Sequence, residues 1–351
     1  MSRFIFRALG FLTIVAGGML TMRLNAQDRP ATPQNPKAPA MNSEFQLSGP
    51  FNHENLAIFL IHGPDKLKDK KFLTLQEALE QKKVVVHETS NVNQLTIENL
   101  SANEEIFIQS GEIVKGGKQD RLLSIDLIVS AHSGKVPISS FCVEHGRWVK
   151  RGNEATDKFS SSADIAASKE LRLASKYKKA QGEVWKEVSE VQGKLSKNTM
   201  APVAGAASPS SLQLTLENKK VEEAIEGYLK KLADLPKDKK DAIGYVMAIN
   251  GKMVCADMYA SRELFLKLWP KMAKACAVEA FSELEKGKTF KPATTESAQA
   301  FLAESEKGKA KNDDNNARVR LSTVDSKENV LFETFDKSAP SAALHRNYLK
   351  K

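Results

Sequence analysis

Short apolar or alternating segments recur along residues 47–148. LAIFLIHG, KVVVHE and EEIFIQSGEIV are rich in β-branched residues and end at glycine or polar residues, the pattern of β-strands. Only residues 73–83, LTLQEALEQKK, have the spacing of a short helix. The first half of the chain is therefore predicted to be a β-rich body.

The apolar spacing becomes helical further along the chain. A long amphipathic helix is predicted within residues 163–197, on the stripe Trp185, Val188, Val191 and Leu195. VEEAIEGYLKKLADL, residues 221–235, has a similar apolar stripe and predicts a second packed helix. We expect both helices to cover the β-rich body.

Two hairpins are predicted in the C-terminal half. DAIGYVMAINGKMVCADMY has apolar runs on both sides of Asn250-Gly251, the pair that a type I′ turn prefers. Ser261 is placed to cap the next helix, and Pro270 predicts a kink or a new helix start within it. RVRLSTV and NVLFETF have the pattern of a terminal hairpin.

Strands followed by mixed helices favour an α+β fold over a doubly wound parallel sheet. We expect a β-rich N-terminal body followed by long amphipathic helices and a β-hairpin, all in one domain. The predicted segments are a signal peptide at 1–26, a proline-rich disordered tether at 27–46, the domain at 47–335 and a C-terminal tail at 336–351. Residues 199–211, TMAPVAGAASPSS, are expected to be a mobile and dispensable low-complexity loop.

The N-terminus has the three parts of a secretory signal peptide. Arg3 and Arg7 precede an apolar run over residues 8–22, and small and polar residues follow around Ala26. The run is shorter than the roughly twenty residues of a membrane span. The chain is therefore expected to be exported to the periplasm or outside the cell with no span after cleavage, and an uncleaved N-terminal anchor is the alternative.

Composition excludes several classes of protein. A hydrophobic content of 41% supports a real core, and the net charge of +9 is spread over faces where lysines alternate with glutamates. That distribution is typical of solvated helices and argues against nucleic acid as a partner.

The three cysteines, Cys142, Cys255 and Cys276, form neither a disulfide framework nor a metal motif, and the histidines have no zinc spacing. The cofactor is left unknown by these patterns.

The stretch EIVKGGKQDR, residues 112–121, is the first candidate site. Adjacent glycines let successive backbone N–H groups point the same way, which favours an anion, and the neighbouring lysine and arginine add positive charge. The stretch is not a P-loop, because glutamine follows its lysine where serine or threonine is required, and it contains no G-x-G-x-x-G. The candidate ligand-binding residues here are Gly116, Gly117, Lys118, Gln119 and Arg121.

A third predicted strand, ISSFCVEHG, ends just before Arg147 and Trp148. Strand alternation places Cys142 and Glu144 on one face. A carboxylate close to arginines has the surroundings of a general acid or base. The indole of Trp148 offers a stacking surface for a base or sugar. We therefore expect three polar clusters to converge at one end of a sheet: the GGKQDR turn, the strand face with Cys142 and Glu144, and Arg147 with Trp148.

These segments resemble the ARG and Rhodanese-Phosphatase-superfamily-Associated Protein domain family. The resemblance rests on residues 73–89, 92–121 and 136–148, more loosely on 181–188, and covers roughly residues 47–280. It implies a link to NAD and ADP-ribose metabolism through gene neighbourhood, and no established reaction. The positions that fit the family pattern are Glu112, Gly116, Gly117, Lys118, Gln119, Asp120, Arg121, Cys142, Glu144, Arg147 and Trp148.

A binding module is the first of three interpretations. The glycine turn and its basic residues hold the phosphate or other anion of a small phosphorylated or nucleotide-like ligand. Gln119 and Asp120 hydrogen-bond its sugar, and Arg147 and Trp148 complete the site. The variety of polar groups without an obvious nucleophile motivates this interpretation.

The other two interpretations assign the same residues differently. In a hydrolase, Glu144 or Asp120 activates water as the general base, and Arg121 and Arg147 stabilise the developing negative charge. In a structural envelope protein, these side chains form buried ion pairs that hold the sheet together. Residue patterns alone leave all three interpretations open.

Overall fold

A computed structural model describes residues 44–166, 168–314 and 316–351 of the chain. The predicted signal peptide, residues 1–26, and residues 27–43 of the predicted tether lie outside the described residues. The first strand begins at Gln46, the last residue assigned to the tether. The α+β class is confirmed, because the described chain forms both sheets and helices.

The elements follow one another along the chain as mixed strands and helices. The strands are β1 Gln46–His53, β2 Leu56–His62, β3 Phe72–Thr74, β4 Val84–Asn91, β5 Gln94–Asn99, β6 Glu105–Ile108, β7 Ile113–Gly116, β8 Arg121–Leu123, β9 Leu127–Val129, β10 Lys135–Cys142, β11 Phe159–Ser160, β12 Ala242–Ile249, β13 Lys252–Tyr259, β14 Lys309–Asp313, β15 Val319–Asp325, β16 Asn329–Asp336 and β17 Ala343–Lys350. The helices are α1 Leu75–Glu80, α2 Lys169–Arg172, α3 Gln181–Thr199, α4 Leu212–Leu216, α5 Lys219–Leu232, α6 Arg262–Ser282 and α7 Thr295–Ser305, with a π-helical turn at Leu173–Lys178.

The strands form three sheets. An eight-stranded antiparallel sheet has the order β1-β2-β12-β13-β17-β16-β15-β14, and a six-stranded antiparallel sheet has the order β11-β7-β8-β10-β5-β4. In the third sheet, β6 pairs with β3 in parallel and with β9 antiparallel. The candidate site residues lie on the six-stranded sheet and on the segments that follow β10.

The central strands of the eight-stranded sheet are buried on both faces. Ile58 and Leu60 of β2 point into the main core, together with side chains of α3, α5 and α6. Phe59 and Ile61 of the same strand point into a second cluster, which contains Phe301 of α7. Because successive side chains of a strand alternate between faces, a strand covered on both sides reads as one continuous apolar run.

Both predicted hairpins are confirmed. Asn250 and Gly251 join β12 to β13 with φ values of 52° and 75°, as a type I′ turn requires. β15 pairs antiparallel with β16. Ser261 caps α6 by accepting the N–H of Leu264, and α6 continues through Pro270 as one helix, so no new helix starts there.

The helix predicted within residues 163–197 is interrupted. α2 and the π-helical turn end at Lys179, which has a φ of 52°, and α3 begins after it. The buried stripe of α3 starts at Val184, whereas Trp185, predicted to be in the core, is half-buried and donates its indole N–H to Glu144 O at 3.2 Å. The left-handed residue is what separates the two helices.

Two predicted segments require correction. Residues 336–351 are not a tail, since they contain β17, which lies between β13 and β16 inside the large sheet. Residues 199–211 are a loop, but Val203 and Ser211 are completely buried. Small residues gave this loop a low-complexity composition, yet their size also allows the loop to pack closely against the protein.

Candidate functional site

The residues predicted to converge lie close together at one end of the six-stranded sheet. β7 and β8 pair across the GGKQDR turn, and Cys142 at the end of β10 pairs with Arg121 of β8. The segment after β10 carries Glu144, Arg147 and Trp148 back toward the turn. Local pairing therefore explains how two stretches of sequence form one cluster.

Asp120 is completely buried and fully hydrogen-bonded. Arg151 donates to both carboxylate oxygens, at 2.7 and 2.8 Å, in a bidentate pair. The Ser211 hydroxyl donates to Oδ2 at 2.9 Å, and the Gly116 N–H donates to Oδ1 at 3.1 Å. Neither Arg151 nor Ser211 was singled out in the sequence.

Glu144 is the second buried carboxylate of this cluster. Its Oε1 accepts Arg147 Nε at 2.7 Å, and its Oε2 accepts the backbone N–H of Asp120 at 3.0 Å. Its own backbone oxygen accepts Gln119 Nε2 at 3.0 Å. We call Asp120, Glu144, Arg147 and Arg151 the ion cluster.

The two carboxyl groups differ in their pKa shifts. Burial raises the pKa of Asp120, and the hydrogen bond from Arg151 only partly offsets it. Burial also acts to raise the pKa of Glu144, but hydrogen bonds from Arg147, Ser208 and the Asp120 N–H outweigh it, so the pKa of Glu144 is lowered. Both carboxyl groups are committed to partners inside the protein, as in a structural ion network.

Ser211 has two roles in this arrangement. It accepts the N–H of Leu214 as the N-cap of α4, and its hydroxyl donates to Asp120. We expect Ser211→Ala to lower the free energy of unfolding by about 1–3 kcal/mol, since it removes a cap and a buried hydrogen bond. Urea denaturation measures the loss. Ser261→Ala, which removes an N-cap without a carboxylate partner, is the matched control, and an equal loss in both variants would contradict the role of the Asp120 bond.

Arg147 ties the turn to the segment that follows β10. Its Nη2 donates to Gly116 O at 3.3 Å, and its Nη1 donates to Gly117 O at 3.3 Å and to Val149 O at 2.7 Å. These hydrogen bonds of Arg147, one of them to Val149, fix the backbone on both sides of Trp148. The ion cluster thus positions Trp148 beside the turn.

The two glycines of the turn have structural reasons to be glycine. Their φ values are 110° and 55°, and a Cβ on Gly117 would lie 2.4 Å from Phe159 Cζ. The N–H of Gly116 donates to Asp120, that of Gly117 to Ala155 O at 3.0 Å, and that of Lys118 to Glu88 Oε2 at 3.1 Å. An anion on this turn must therefore be held mainly by side chains.

Arg121 is the buried cation with the poorest hydrogen bonding at this end of the sheet. It is completely buried, and its Nη1 donates to Cys142 Sγ at 2.6 Å. Its Nη2 lies 3.5 Å from Glu88 Oε2. Among the residues that the structure describes, Nε and Nη2 have no hydrogen-bond partner. Such buried donors are rare in native proteins and point to a water, ion or ligand.

Trp148 lies over this guanidinium and remains partly open to solvent. Its ring centroid is 5.7 Å from Arg121 Cζ and 5.3 Å from Lys118 Nζ, and the residue is 42% exposed. These distances are typical of cation–π contacts. Lys118 Nζ also donates to Ser90 Oγ at 2.9 Å. We call Lys118, Arg121 and Trp148 the indole site.

Cys142 is a neutral thiol. Burial raises its pKa to about 11, although Arg121 acts in the opposite direction. Gln181 of α3 pairs with its backbone N–H and C=O, both at 2.9 Å. The thiol is therefore not an activated nucleophile.

Sequence reasoning missed a second buried polar cluster. His345 of β17 lies between two carboxylates, with Nδ1 at 2.7 Å from Asp126 Oδ2 and Nε2 at 3.0 Å from Asp257 Oδ1. The Tyr259 ring stacks on the imidazole at a centroid distance of 4.5 Å. The only signal in the sequence was a run of polar residues in ALHRNYLK, which we interpreted as a tail.

Two general properties of the described chain bear on function. Within residues 44–166, 168–314 and 316–351, no helix is both long and apolar enough to cross a membrane. In the same residues, no group of three or more His, Cys, Asp or Glu side chains is arranged to hold a metal ion.

The chain was compared with protein-family models, curated proteins and solved structures. One family model matches residues 44–347, under the description ARG and Rhodanese-Phosphatase-superfamily-associated Protein domain. No curated protein and no solved structure matches the chain. The match confirms the resemblance seen in the sequence and extends it over almost all of the described residues. The chain belongs to the ARG and Rhodanese-Phosphatase-superfamily-associated Protein domain family.

Proposed function

We propose that the protein binds a small ligand with an anionic group at the indole site. The observation that carries the proposal is Arg121, a completely buried guanidinium with two nitrogens that lack hydrogen-bond partners among the described residues. An acceptor group that enters beside Trp148 satisfies these donors. Hydrogen bonds to charged groups contribute about 1.5–3 kcal/mol each, enough to support specific binding.

The chemistry of the indole site favours a phosphorylated or nucleotide-like molecule. Lys118 is half-buried and supplies an ammonium group for a phosphate. The partly exposed face of Trp148 supplies a stacking surface for a base or sugar ring. A ligand related to NAD or ADP-ribose combines both features and agrees with the association that the family's gene neighbourhood implies.

The ion cluster has a positioning role in this proposal. Arg147 fixes the backbone of Gly116, Gly117 and Val149, and this holds Trp148 beside Lys118. The hydrolase alternative, with Asp120 or Glu144 as general base, requires a carboxylate to leave its arginine before it accepts a proton. The hydrogen bonds therefore favour binding over hydrolysis as the role of this end of the sheet.

Export completes the proposal. The apolar run at 8–22, preceded by arginines, supports secretion, with an N-terminal anchor as the alternative. In both cases, the protein binds its ligand outside the cytoplasmic membrane.

We expect ADP-ribose, NAD or a sugar phosphate to raise the thermal unfolding temperature of the full-length protein in a saturable manner. Lys118→Met should weaken binding of that ligand by about tenfold, since one charge-assisted contact is worth about 1.4 kcal/mol or more. Trp148→Ala should abolish the quenching of tryptophan fluorescence that a stacked base causes. Trp185 and Trp269 remain in that variant as internal references.

Lys115→Met is the matched control for this experiment. Lys115 precedes the same turn, but its ammonium pairs with Glu217 at 2.6 Å. The control should bind the ligand like the wild type. The proposal fails if no compound of this class gives a saturable shift, or if Trp148→Ala and Lys118→Met bind as tightly as the control.

A further inference from the structure

A small, partly open cavity lies where the π-helical turn meets the large sheet, away from the indole site. Its lining combines apolar residues such as Ile165 and Met272 with the polar residues Gln109, Ser110, Arg172, Lys176, Asp257 and Asn347, and its volume is about 10 Å³. That volume holds about one water-sized particle. The cavity therefore has room for a single water molecule or a single monatomic ion, and its lining groups favour one over the other.

Lys176 is half-buried, and its ammonium group makes no hydrogen bond to a carboxylate of the described residues. Its Nζ donates to the neutral Ser110 hydroxyl at 2.8 Å and lies 3.5 Å from Asn347 Oδ1. The nearest carboxylate oxygen, Asp126 Oδ1, is 3.8 Å away. The π-helical turn places this lysine in the cavity wall, as such turns often do at functional sites.

Arg172 is similarly short of acceptors. Its Nη2 reaches Cys255 Sγ at 3.3 Å and Glu279 Oε2 at 3.4 Å, and its Nη1 lies 3.7 Å from Asp257 Oδ2. Its buried Nε has no hydrogen-bond partner in the described part of the chain. Among the described residues, Gln109 Nε2 donates only to the thioether sulfur of Met272, at 3.7 Å. These contacts are longer than ordinary N–H···O bonds, or involve weak acceptors.

The neighbouring carboxylates are, by contrast, well supplied with donors. Asp257 Oδ1 accepts from His345 and from Asn347, and its Oδ2 accepts the Tyr245 hydroxyl at 2.8 Å. Asp126 accepts from His345, from the Ser110 N–H and from the Thr334 hydroxyl. The wall of the cavity thus has unused donors, while its acceptors are already hydrogen-bonded.

The charged groups of the network are matched in number. The opposing groups are Arg172, Lys176 and His345 against Asp126, Asp257 and Glu279. Burial raises the pKa of Glu279 to about 7, against a smaller opposing effect of Arg172, and burial also lowers the pKa of Lys176. The pKa values of Asp126 and Asp257 are lowered despite burial, because His345 and the neighbouring cations hold both groups ionised. The unused donors of Arg172 and Gln109, together with the Lys176 ammonium, are therefore what favours an anion in the cavity.

We propose that this cavity binds one monatomic anion such as chloride through Arg172, Lys176 and Gln109. The side chains of Arg172 and Lys176 are 12% and 11% exposed, which gives the ion a route from solvent. The ion bridges the π-helical turn and β6–β7 and stabilises their contact. The inference is independent of the indole site and of its ligand.

The test is thermal unfolding of the full-length protein in sodium chloride, sodium bromide and sodium gluconate at constant ionic strength. Chloride and bromide should raise the unfolding temperature in a saturable manner, whereas gluconate is too large for the cavity and should not. Chlorine NMR should show line broadening with the wild-type protein that bromide reverses. Equal unfolding temperatures in all three salts would mean that the cavity holds water only, and would overturn the proposal.

Two variants locate the effect. Gln109→Glu has nearly the same shape and retains an acceptor for the Tyr259 hydroxyl, but places a carboxylate in the cavity wall, so the chloride response should disappear. Lys176→Met should abolish the response as well. Lys178→Met is the matched control, because Lys178 lies on the same turn but pairs with Glu183 at the surface. This variant should show the same chloride response as the wild type. A full chloride response in Gln109→Glu would overturn the assignment even if Lys176→Met does not fold.

Discussion

We expect His345→Ala to lower the free energy of unfolding by about 3–5 kcal/mol, the cost of breaking a buried ion pair by removal of one partner. The imidazole bridges Asp126 and Asp257, and all three side chains are at most 1% exposed. The variant leaves two buried carboxylates without their shared cation, and it also leaves a cavity beside the Tyr259 ring. Urea denaturation monitored by circular dichroism measures the loss.

His87→Ala is the control for this prediction. His87 also pairs with a carboxylate, Glu98, at 3.3 Å, but the two side chains are 26% and 30% exposed. A pair near the surface contributes about 0–1 kcal/mol. If both histidine variants lose the same stability, burial of the His345 network is not what stabilises the sheet.

The pH dependence of this effect has a defined sign. Burial acts to lower the pKa of His345, but Asp126 and Asp257 outweigh it, so the pKa is raised above its usual value of 6.5. A raised histidine pKa contributes stability that is complete below the unfolded pKa and is lost as pH rises through the folded pKa. The difference in stability between wild type and His345→Ala should therefore shrink as pH rises above 6.5. A difference that grows with pH would contradict a charged His345.

The features that sequence predicted best depend on neighbouring residues. The turn at Asn250-Gly251 could be predicted from the backbone conformation that this pair prefers and from the apolar runs on both sides of it. The stripe of α5 requires only helical spacing, and its Val221, Ile225 and Tyr228 are buried as predicted. Asp120 and Glu144 lie together because β8 and β10 pair next to them. In each case the necessary information lies within one element or between adjacent strands.

The features that sequence missed depend on distant partners. Ser211 is 91 residues from Asp120, and His345 is 219 residues from Asp126. His345 and Asn347 made β17 look like a polar tail, although both are buried because carboxylates from other strands bind them. A polar side chain in a central strand is understandable only when its partner is known.

Arg151→Met should also lower the free energy of unfolding by about 3–5 kcal/mol. The substitution keeps the length and the apolar stem of the side chain but removes both bonds to the Asp120 carboxylate, at 2.7 and 2.8 Å. The buried Asp120 then keeps, among the described residues, the hydrogen bonds from Ser211 and Gly116 and a longer contact of 3.8 Å with Arg147 Nη2. Since its pKa is already raised by burial, loss of the arginine should raise the pKa further, and acid should reduce the deficit by protonating the carboxyl group.

Two comparisons separate this buried pair from ordinary surface charge. Lys115→Met breaks the Lys115–Glu217 pair, whose side chains are 27% and 38% exposed, and should change stability by about 1 kcal/mol or less. Asp120→Asn in the Arg151→Met background removes the unpaired charge while keeping an amide that can bond Ser211, so it should restore part of the lost stability. If Arg151→Met is as stable as wild type and loses only ligand binding, the ion cluster contacts the ligand and does not merely position Trp148.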